Sequence, residues 1–397
     1  MNKNIEIAGR TAPFQESVIR EMTRLGDVTD SVNLSQGLPD FDPPDSVLKS
    51  ATEAIRSGKN QYTFPFGTAD FRSAISRRYA QYNDIDANPD TEITVTCGVS
   101  EAMMSTLLAL TEPGDEVIIF EPWYENYVPD CLMAGVKPIF VTLHEPNYKF
   151  DLEKLRSSIN KKTRIIIINT PHNPTGRVFS YEELNEIAKL CREFGIIAVT
   201  DEIYEYIYYG KHRHISIGSL EGMSDRTVTI SGLSKTYAVT GWRVGWAIAD
   251  EALSSEIRKV HDYLTVCAPS PFQFAGITAL NLDEEYYQNM RALYSKRRNI
   301  LLETLKESNF NVLDPEGSYY IMADFSEIDW DLGKYDQHGW SKDRVFAEFM
   351  AREVGVAVVP GSSFYHGDNS GTSTVRFNFA KQEDTLRKAL RRIVKNL

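Results

Sequence analysis

The sequence predicts an α/β fold: a large domain with a mostly parallel central sheet covered by helices on both faces, plus a smaller α+β domain. Its 397 residues exceed what one simple core organises. From about residue 91, short apolar runs alternate with helical patterns, which is typical of crossover connections in a parallel sheet. After residue 290 a long charged helical pattern is followed by mixed helices and strands, which indicates a separate unit.

The apolar runs of the large domain are its predicted strands, at 93–96, 117–120, 138–141, 165–169, 196–200 and 227–230. The run 165–168 consists of four isoleucines, so it is apolar on both faces of a strand and belongs at the centre of the sheet. Residues 181–194 carry apolar side chains at helical spacing behind Ser180, a typical N-cap, and we predict a crossover helix there.

The small domain is predicted from the two ends of the chain. Its expected elements are a helix at 291–308, strands at 319–323, 356–359 and 375–379, and a helix that ends near Val354. The polar stretch 326–341 is predicted to be a surface loop. The segment up to about Pro44 has too few apolar residues to fold alone, so we expect it to pack elsewhere. The predicted division is 45–290 for the large domain, and 1–44 with 291–397 for the small domain and N-terminal arm.

Composition narrows the class of partner. The 55 acidic and 43 basic side chains leave a net charge of −12, which argues against a nucleic-acid or anionic-membrane surface and favours small molecules. The four cysteines are far apart, without a C-x-x-C pair or histidines at metal-ligand spacing, so we expect reduced thiols and no metal site. Residues 1–20 lack the apolar core of a signal peptide and no run reaches the length of a membrane helix; we predict a cytoplasmic protein.

Polar segments directly follow several of the predicted strands. They are residues 98–100, 169–176, 201–204 and 231–235. Each one alone has an ordinary explanation as a turn or a helix cap. Ligands bind beyond the carboxyl ends of parallel strands, however, and all four segments must meet at that edge. We therefore predict a binding site there.

These segments resemble the fold-type I pyridoxal-phosphate enzymes, specifically the class I/II aminotransferases of the aspartate, aromatic and kynurenine/methionine type. The resemblance covers almost the whole chain, and the string S-K-T-Y-A-V-T-G-W-R at 234–243 is highly specific to this group. The other matching strings are N-L-S-Q-G-L-P-D-F at 33–41, Q-Y-T at 61–63, P-H-N-P-T-G at 171–176, D-E-I-Y at 201–204 and V-R-F at 375–377.

The resemblance implies a cofactor, pyridoxal 5'-phosphate, and catalytic roles for three residues. Lys235 holds the cofactor as a Schiff base and then serves as the general base, which requires a primary amine. Asp201 pairs with the ring nitrogen, because the ring withdraws electrons effectively only when that nitrogen is protonated. Tyr204 and Asn173 donate hydrogen bonds to the phenolic oxygen. Without the resemblance, Lys235 could be a surface lysine, Asp201 a helix-capping residue, and Tyr204 and Asn173 ordinary turn residues.

Further residues are implied to hold the phosphate. Val99 and Ser100 match the phosphate turn at a helix start, and Arg243 matches the phosphate arginine. Because Gly232 stands where many relatives carry a phosphate-binding serine, either Ser234 or Ser231 contributes, and we favour Ser234.

Two aromatic residues complete the cofactor site by resemblance. Tyr124 matches the residue that stacks on the ring, with Trp123 as the rival and a core position as the alternative. Tyr62 matches the tyrosine that reaches the phosphate in the neighbouring subunit, which implies a homodimer with a shared active site, although Tyr62 could equally be a buried ring.

The substrate's α-carboxylate calls for a bidentate guanidinium. Arg376 lies between apolar residues in a late strand and matches the family's carboxylate arginine; a core salt bridge is the alternative. Asn173 would also touch the carboxylate, and Gly37 would admit substrate at the mouth of the site.

The predicted reaction moves an amino group from an L-amino acid to a 2-oxo acid. No second arginine for a side-chain carboxylate is identifiable, and Val266 and Cys267 fall where kynurenine-type relatives carry an aromatic residue and a histidine. We favour an aromatic or sulfur-containing amino acid as the donor and 2-oxoglutarate as the acceptor, with aspartate as an alternative donor. The alternatives are a carbon–sulfur β-lyase or an aminocyclopropane-carboxylate synthase on the same scaffold, and a regulator's binding module, which would need a basic DNA-binding domain.

Overall fold

The secondary structure comes from a computed structural model that describes residues 9–13, 16–331, 335, 339–367 and 370–397. The helices are α1 (Val18–Val28), α2 (Asp45–Arg56), α3 (Ala69–Tyr82), α4 (Val99–Leu110), α5 (Tyr127–Ala134), α6 (Leu152–Ser158), α7 (Tyr181–Phe194), α8 (Glu251–Thr265), α9 (Ser270–Leu280), α10 (Glu284–Glu307), α11 (Lys342–Phe349) and α12 (Glu383–Asn396). The strands are β1 (Val32–Asn33), β2 (Ile93–Thr96), β3 (Glu116–Glu121), β4 (Lys137–His144), β5 (Lys149–Phe150), β6 (Thr163–Asn169), β7 (Ile197–Asp201), β8 (Thr227–Gly232), β9 (Gly245–Ile248), β10 (Asn311–Val312), β11 (Tyr320–Asp324), β12 (Val356–Ala357), β13 (Val359–Pro360) and β14 (Thr374–Asn378).

Eight strands of the described residues form the large sheet, in the order β2-β9-β8-β7-β6-β3-β4-β5. Pairing is parallel from β8 through β7, β6 and β3 to β4, and antiparallel where β9 joins β2 and β8 and where β5 joins β4. The mostly parallel sheet is thus confirmed. The isoleucines at 165–168 lie inside it on β6 and are all buried, as their apolar pattern predicts.

The six predicted strands all form, with ends that shift by up to three residues. The strand β9 was not predicted, because its four residues follow the motif at 234–243 and carry no alternation of their own. Helix α7 has the predicted bounds, and Ser180 caps it together with Glu183, each side chain bonding the other's backbone N–H. Local patterning was therefore sufficient for the sheet's centre and its covering helix.

A second sheet of the described chain has the antiparallel order β10-β11-β14-β13, and a separate parallel pair joins β1 to β12. The single strand predicted at 356–359 is wrong: Val356 pairs with Val32, whereas Val359 pairs with Arg376 in the other sheet. The chain changes partner within four residues, and nothing in their uniformly apolar sequence indicates that. Helix α10 also begins seven residues before the prediction, behind the N-cap Asp283.

The N-terminal arm packs against the C-terminal part of the chain, as expected, since β1 pairs with β12 and α1 lies against β12 and β13. Residues 1–8 and 14–15 lie outside the described residues, as do 332–334 and 336–338 of the predicted loop. The largest hydrophobic cluster is continuous from the large sheet to the small one, and the division into two domains stays a prediction. No helix in the described ranges has the length and apolar character that crossing a bilayer requires.

Candidate active site

A cavity of about 360 Å³ lies at the carboxyl ends of the central strands. Strands β2, β6, β7 and β8 all end at this edge, because β9 runs antiparallel to both β2 and β8. The four polar segments that follow these strands therefore converge. The predicted residues that line the cavity are Gly37, Val99, Ser100, Tyr124, Asn173, Asp201, Tyr204, Ser234, Lys235 and Arg243.

Lys235 is enclosed in this cavity, and its Nζ donates to the carbonyl oxygen of Gly37 at 2.9 Å. Burial lowers the pKa of the Lys235 amine to about 7, and the positive charges of Arg376 and Arg243 act in the same direction. A large share of the amine is consequently neutral at neutral pH. A neutral, desolvated amine is what a nucleophile or general base requires.

Asp201 ends β7 and is buried at the cavity floor. Its Oδ2 accepts a hydrogen bond from the Tyr127 hydroxyl at 2.7 Å, and its Oδ1 accepts one from the N–H of Ile203 at 3.3 Å. Burial raises the pKa of the Asp201 carboxyl to about 6, while these donors and Lys235 act against the rise. The carboxylate is thus available as an ionic partner at neutral pH.

A chain of amides links Asp201 to the buried arginine of β14. The Asn169 Nδ2 donates to the Asp201 carbonyl oxygen at 2.8 Å, and the Asn169 Oδ1 accepts from the Asn173 N–H at 2.8 Å. Asn173 Oδ1 in turn accepts from Arg376 Nη1 at 2.7 Å. The Arg376 Nη2 donates to the carbonyl oxygen of Ser35 at 2.8 Å, and its Nε has no hydrogen-bond partner in the described residues.

The start of α4 forms a cradle of backbone N–H groups. Gly98 precedes the helix with φ 82°, and a Cβ there would lie 2.5 Å from Nη2 of Arg243. The positive φ favours glycine, and the absence of a side chain lets the Arg243 guanidinium lie beside the start of the helix without shifting. The N-cap Gly98 makes no side-chain cap hydrogen bond, and Val99 and Ser100 line the cavity together with Arg243. That combination suits an anion such as a phosphate.

Glycine is also required at the opposite wall. A Cβ on Gly37 would lie 1.8 Å from the hydroxyl oxygen of Tyr320, which forms a hydrogen bond of 3.1 Å with the Tyr204 hydroxyl. The Tyr320 ring also covers Arg376, whose guanidinium carbon lies 4.2 Å from the ring centroid. Tyr320 thus lines the cavity and packs against the buried arginine.

The sequence left alternatives open for four roles, and the structure shows where each candidate residue lies. Ser234 lines the cavity, whereas Ser231 Oγ donates to Glu205 Oε1 at 2.7 Å, away from it. Tyr124 lines the cavity, whereas Trp123 stacks on a phenylalanine ring behind it. Arg376 is fully buried behind the cavity wall, and the Tyr62 side chain is 80% exposed, outside the lining. Tyr62 is therefore not the buried ring that the sequence left open.

Sequence reasoning missed four residues of the site. Asn169 is the first residue of the polar segment 169–176 and ends an apolar strand, so its position in the sequence could have identified it. Tyr127 and Tyr320 lie in ordinary helix and strand patterns, and Arg20 lies on α1, outside every motif. Only their tertiary positions bring these three to Asp201, Arg376 and the cavity mouth.

The sequence matches the family described as aminotransferase class I and II over residues 29–393. The chain belongs to this family. The solved structure of N-succinyldiaminopimelate aminotransferase from Mycobacterium tuberculosis is similar, with a TM-score of 0.93 and 36% identity over 99% of this chain and 100% of that chain.

Two curated aminotransferases are similar over nearly their whole length. Kynurenine–oxoglutarate transaminase of Dictyostelium discoideum is 35% identical, covering 96% of this chain and 94% of that protein. Methionine aminotransferase of Escherichia coli is 32% identical, covering 95% of each. This class I/II aminotransferase is thus a transferase that depends on pyridoxal 5'-phosphate, and the predicted fold type, enzyme class and cofactor are confirmed.

The residues present in the cavity fit that cofactor. The open N–H groups at the start of α4, together with Arg243, suit its phosphate dianion. The buried carboxylate of Asp201 suits a protonated ring nitrogen, and the amine of Lys235 lies in the same cavity. Groups of the right charge for the phosphate and for the ring nitrogen therefore line the same cavity.

Proposed function

We propose that this aminotransferase moves an amino group from an L-amino acid to a 2-oxo acid with Lys235 as its catalytic base. One observation carries the proposal: a buried lysine with a lowered pKa shares a cavity with the buried Asp201, and the hydrogen-bonded pair Asn173 and Arg376 lies at its wall. Such a set provides a base, a counter-charge and a carboxylate receptor around one enclosed space.

Each residue has a distinct task in this proposal. Pyridoxal phosphate, when bound, supplies the electron-withdrawing ring and carries the amino group between the two half-reactions. Asp201 would hold its ring nitrogen, and Tyr204 and Asn173 its phenolic oxygen. Lys235 Nζ takes the proton from the substrate's Cα and returns it. The residues that would hold the phosphate and stack on the ring are Val99, Ser100, Ser234, Arg243 and Tyr124.

Arg376 would bind the α-carboxylate common to all substrates. Its Nη1 is already oriented by Asn173, and its unpaired Nε leaves donor capacity. Burial makes a bidentate guanidinium–carboxylate pair stronger than it is in water. Gly37 lies on the cavity lining, where the absence of a side chain keeps the substrate path open.

We infer an aromatic or sulfur-containing amino donor with 2-oxoglutarate as the acceptor. Ile19, Leu38 and Tyr124 give the cavity an apolar side that suits such side chains. Relatives named for kynurenine and methionine point the same way. Aspartate remains a candidate donor, since an aspartate aminotransferase of Pyrococcus abyssi is also a relative.

We also propose a homodimer whose active site is shared, with Tyr62 reaching the phosphate in the other subunit. In support, Tyr62 is exposed, and so are the apolar side chains of Phe64 and Val266, which a subunit interface would cover. The cytoplasm stays the predicted compartment.

The test is a half-reaction. The holoenzyme is mixed with single amino acids in the absence of any 2-oxo acid, and both the visible absorbance of the bound cofactor and the released 2-oxo acid are followed. We expect aromatic or sulfur-containing amino acids to change the spectrum rapidly and to release one equivalent of their 2-oxo acid per site. Continued release of pyruvate and ammonia would instead mean a β-lyase.

A further inference from the structure

A buried ion pair lies behind the start of α4, and neither of its members has a task in the proposed reaction. Glu101 belongs to the first turn of α4, and His261 lies on α8 with its side chain fully buried. The imidazole Nδ1 lies 3.1 Å from each carboxylate oxygen of Glu101. Its Nε2 lies 2.9 Å from the carbonyl oxygen of Pro65. One buried ring on α8 thus contacts two other segments of the chain.

The partners of the two ring nitrogens determine the charge of His261. A backbone carbonyl oxygen can only accept, so Nε2 donates its hydrogen to Pro65. The Glu101 carboxylate already accepts from the Cys97 N–H at 3.0 Å and from the Ser105 hydroxyl, one donor to each oxygen. Because these donors favour its charged form, Nδ1 donates to it as well. His261 is therefore an imidazolium that bridges two acceptors.

The charged and titratable groups around the ring support this protonation state. Burial acts to lower the pKa of His261, but the hydrogen bonds and the negative charge of Glu101 outweigh burial and raise that pKa. Asp262, the next residue on α8, acts in the same direction. Burial raises the pKa of the Cys97 thiol, which is therefore neutral near neutral pH. Arg258, one turn earlier on α8, donates to backbone carbonyls at and before the start of β2.

The ion pair fixes the backbone that presents the phosphate turn. Glu101 accepts from the N–H of Cys97, which is the residue before the N-cap of α4. Its carboxylate thereby closes a loop from the end of β2 to the first turn of the helix, and Val99 and Ser100 lie inside that loop. His261 in turn orients this carboxylate from α8. A shift of the Glu101 side chain would consequently change where the N–H groups at the start of α4 point.

The second contact of His261 reaches another segment with a proposed phosphate role. Pro65 follows the exposed Tyr62 by three residues, and Tyr62 is the side chain proposed to reach the phosphate in the other subunit. The same imidazolium therefore holds the turn for the phosphate of its own subunit and the segment offered to the partner's. Both contacts need a proton on the ring, one at each nitrogen.

We propose that His261 is a positioning residue for the cofactor's phosphate, acting through Glu101 on the phosphate turn and through Pro65 on the segment of Tyr62. The inference rests on the proposed function, which places the phosphate at the start of α4. A ring that loses one proton keeps a single N–H, which can donate to Glu101 or to Pro65 but not to both. Cofactor retention should therefore depend on the charge of His261.

The direction of this pH dependence follows from the raised pKa. The folded-state pKa of His261 lies above the ordinary value of 6.5, so both contacts are fully present below that value. They are lost as the pH rises through the folded-state pKa. The phosphate should accordingly be held most firmly on the acid side and less firmly on the alkaline side.

The test follows release of pyridoxamine 5'-phosphate, the aminated form of the cofactor, from the loaded enzyme. This form makes no bond to Lys235, so its release rate reports the non-covalent contacts. Ligand fluorescence after dilution is followed between about pH 6 and about pH 9, on either side of the ordinary histidine pKa. We expect His261→Gln to release it about tenfold faster at the acid end, as loss of hydrogen bonds to a charged group implies. The ratio of variant to wild-type rate should fall towards one as the pH rises.

Two further variants complete the design. Glu101→Gln, nearly identical in shape to the wild type, should show the same loss, and the double variant should release no faster than either single one. It also keeps the test valid if His261→Gln does not fold. The matched control is His214→Gln, which removes another buried histidine that pairs with a glutamate, Glu202, at 2.8 Å. It should release the ligand at the wild-type rate at every pH.

The outcomes separate this inference from the proposed function. Release from His261→Gln and Glu101→Gln at the wild-type rate, or faster by the same factor at every pH, overturns the inference, since packing alone would then explain the effect. Arg243→Gln should release the ligand faster throughout the range if the phosphate lies at the start of α4. An unchanged rate in Arg243→Gln would instead refute that placement. The half-reaction with single amino acids tests the reaction itself independently of His261.

Discussion

The inner end of the cavity and its mouth are built differently. At the inner end, Asp201, Asn173 and Arg376 are buried. Arg376 donates to Asn173, and Asn169 bonds to the backbone of both Asn173 and Asp201. At the mouth, Arg20 is exposed on the first turn of α1, and the hydroxyl of Ser17 bonds that turn to Glu125 on the cavity lining. A substitution at the inner end therefore breaks buried hydrogen bonds, whereas a substitution of the exposed Arg20 side chain does not.

This difference separates chemistry from selectivity. Chemistry common to all substrates requires groups held within a fraction of an ångström, which strand ends and a buried network provide. Selectivity needs only a contact that some substrates make and others do not. Substitutions at the inner end should then reduce activity towards every substrate, and substitutions at the mouth should change the ratio between substrates.

Replacement of Lys235 should have the largest effect. We expect Lys235→Ala to lower the rate of every half-reaction by about 10⁴-fold or more, because it removes the base that moves the Cα proton. Lys235→Arg keeps the positive charge but not a titratable amine, so it should fail equally. Borohydride treatment followed by peptide mapping should place the cofactor's mass on residue 235 in the wild type alone. Activity of Lys235→Arg above a tenth of wild type would refute the base assignment.

Arg376→Lys should reduce kcat/KM by about 10²-fold, since a bidentate buried contact to the α-carboxylate becomes a single one. The reduction should be the same for monocarboxylic and dicarboxylic substrates, because both carry the α-carboxylate. Steady-state kinetics with one amino acid of each class checks this. A loss confined to dicarboxylic substrates would refute the assignment of Arg376 to the α-carboxylate.

Tyr127→Phe tests the hydrogen bond that the Asp201 carboxylate accepts from Tyr127. The Tyr127 hydroxyl donates to the carboxylate and so favours its charged form; removing the donor should raise the pKa of Asp201 above about 6. Activity needs the carboxylate charged, so the acid limb of the pH profile should move to higher pH. The loss should be about tenfold near pH 6 and smaller at pH 8.

The control for that variant is Tyr148→Phe, another buried tyrosine whose hydroxyl donates to a carboxylate, Glu145, away from the cavity. Its pH profile should match the wild type. If Tyr127→Phe lowers activity equally at every pH, Tyr127 acts by packing and not through the charge of Asp201.

Tyr62→Phe should have the smallest effect. If its hydroxyl reaches the partner's phosphate, cofactor release should quicken about fivefold to tenfold, as loss of one hydrogen bond to a charged group implies. Tyr263→Phe, whose side chain is 93% exposed on α8, is the control and should release cofactor at the wild-type rate. Identical release rates for Tyr62→Phe and wild type would remove the main support for a shared site.

Much of the inner end could be predicted from sequence. Asp201 ends an apolar run, Val99 and Ser100 lie at a helix start, and Lys235 lies in a specific string, so the neighbouring residues in the chain identify each of them. Of the six confirmed strands, β3 and β6 follow from the same cause, because a strand that is buried on both faces is apolar almost throughout. The prediction of one strand at 356–359 was wrong for a related reason. A uniformly apolar segment predicts burial, but it does not indicate which sheet each residue joins.

The sequence by itself determined the α/β fold, the family, the cofactor and the set of polar segments that meet at the sheet edge. Tertiary structure alone decided which cation stands at the mouth, that Tyr127 supports Asp201 and that Tyr320 covers Arg376. The physical reason is the range of the interactions. A strand, a cap or a glycine turn is specified by residues near it in the chain. The pairs Tyr127–Asp201 and Tyr320–Arg376, in contrast, join residues 56 or more positions apart. Folding of the chain must first bring such residues together.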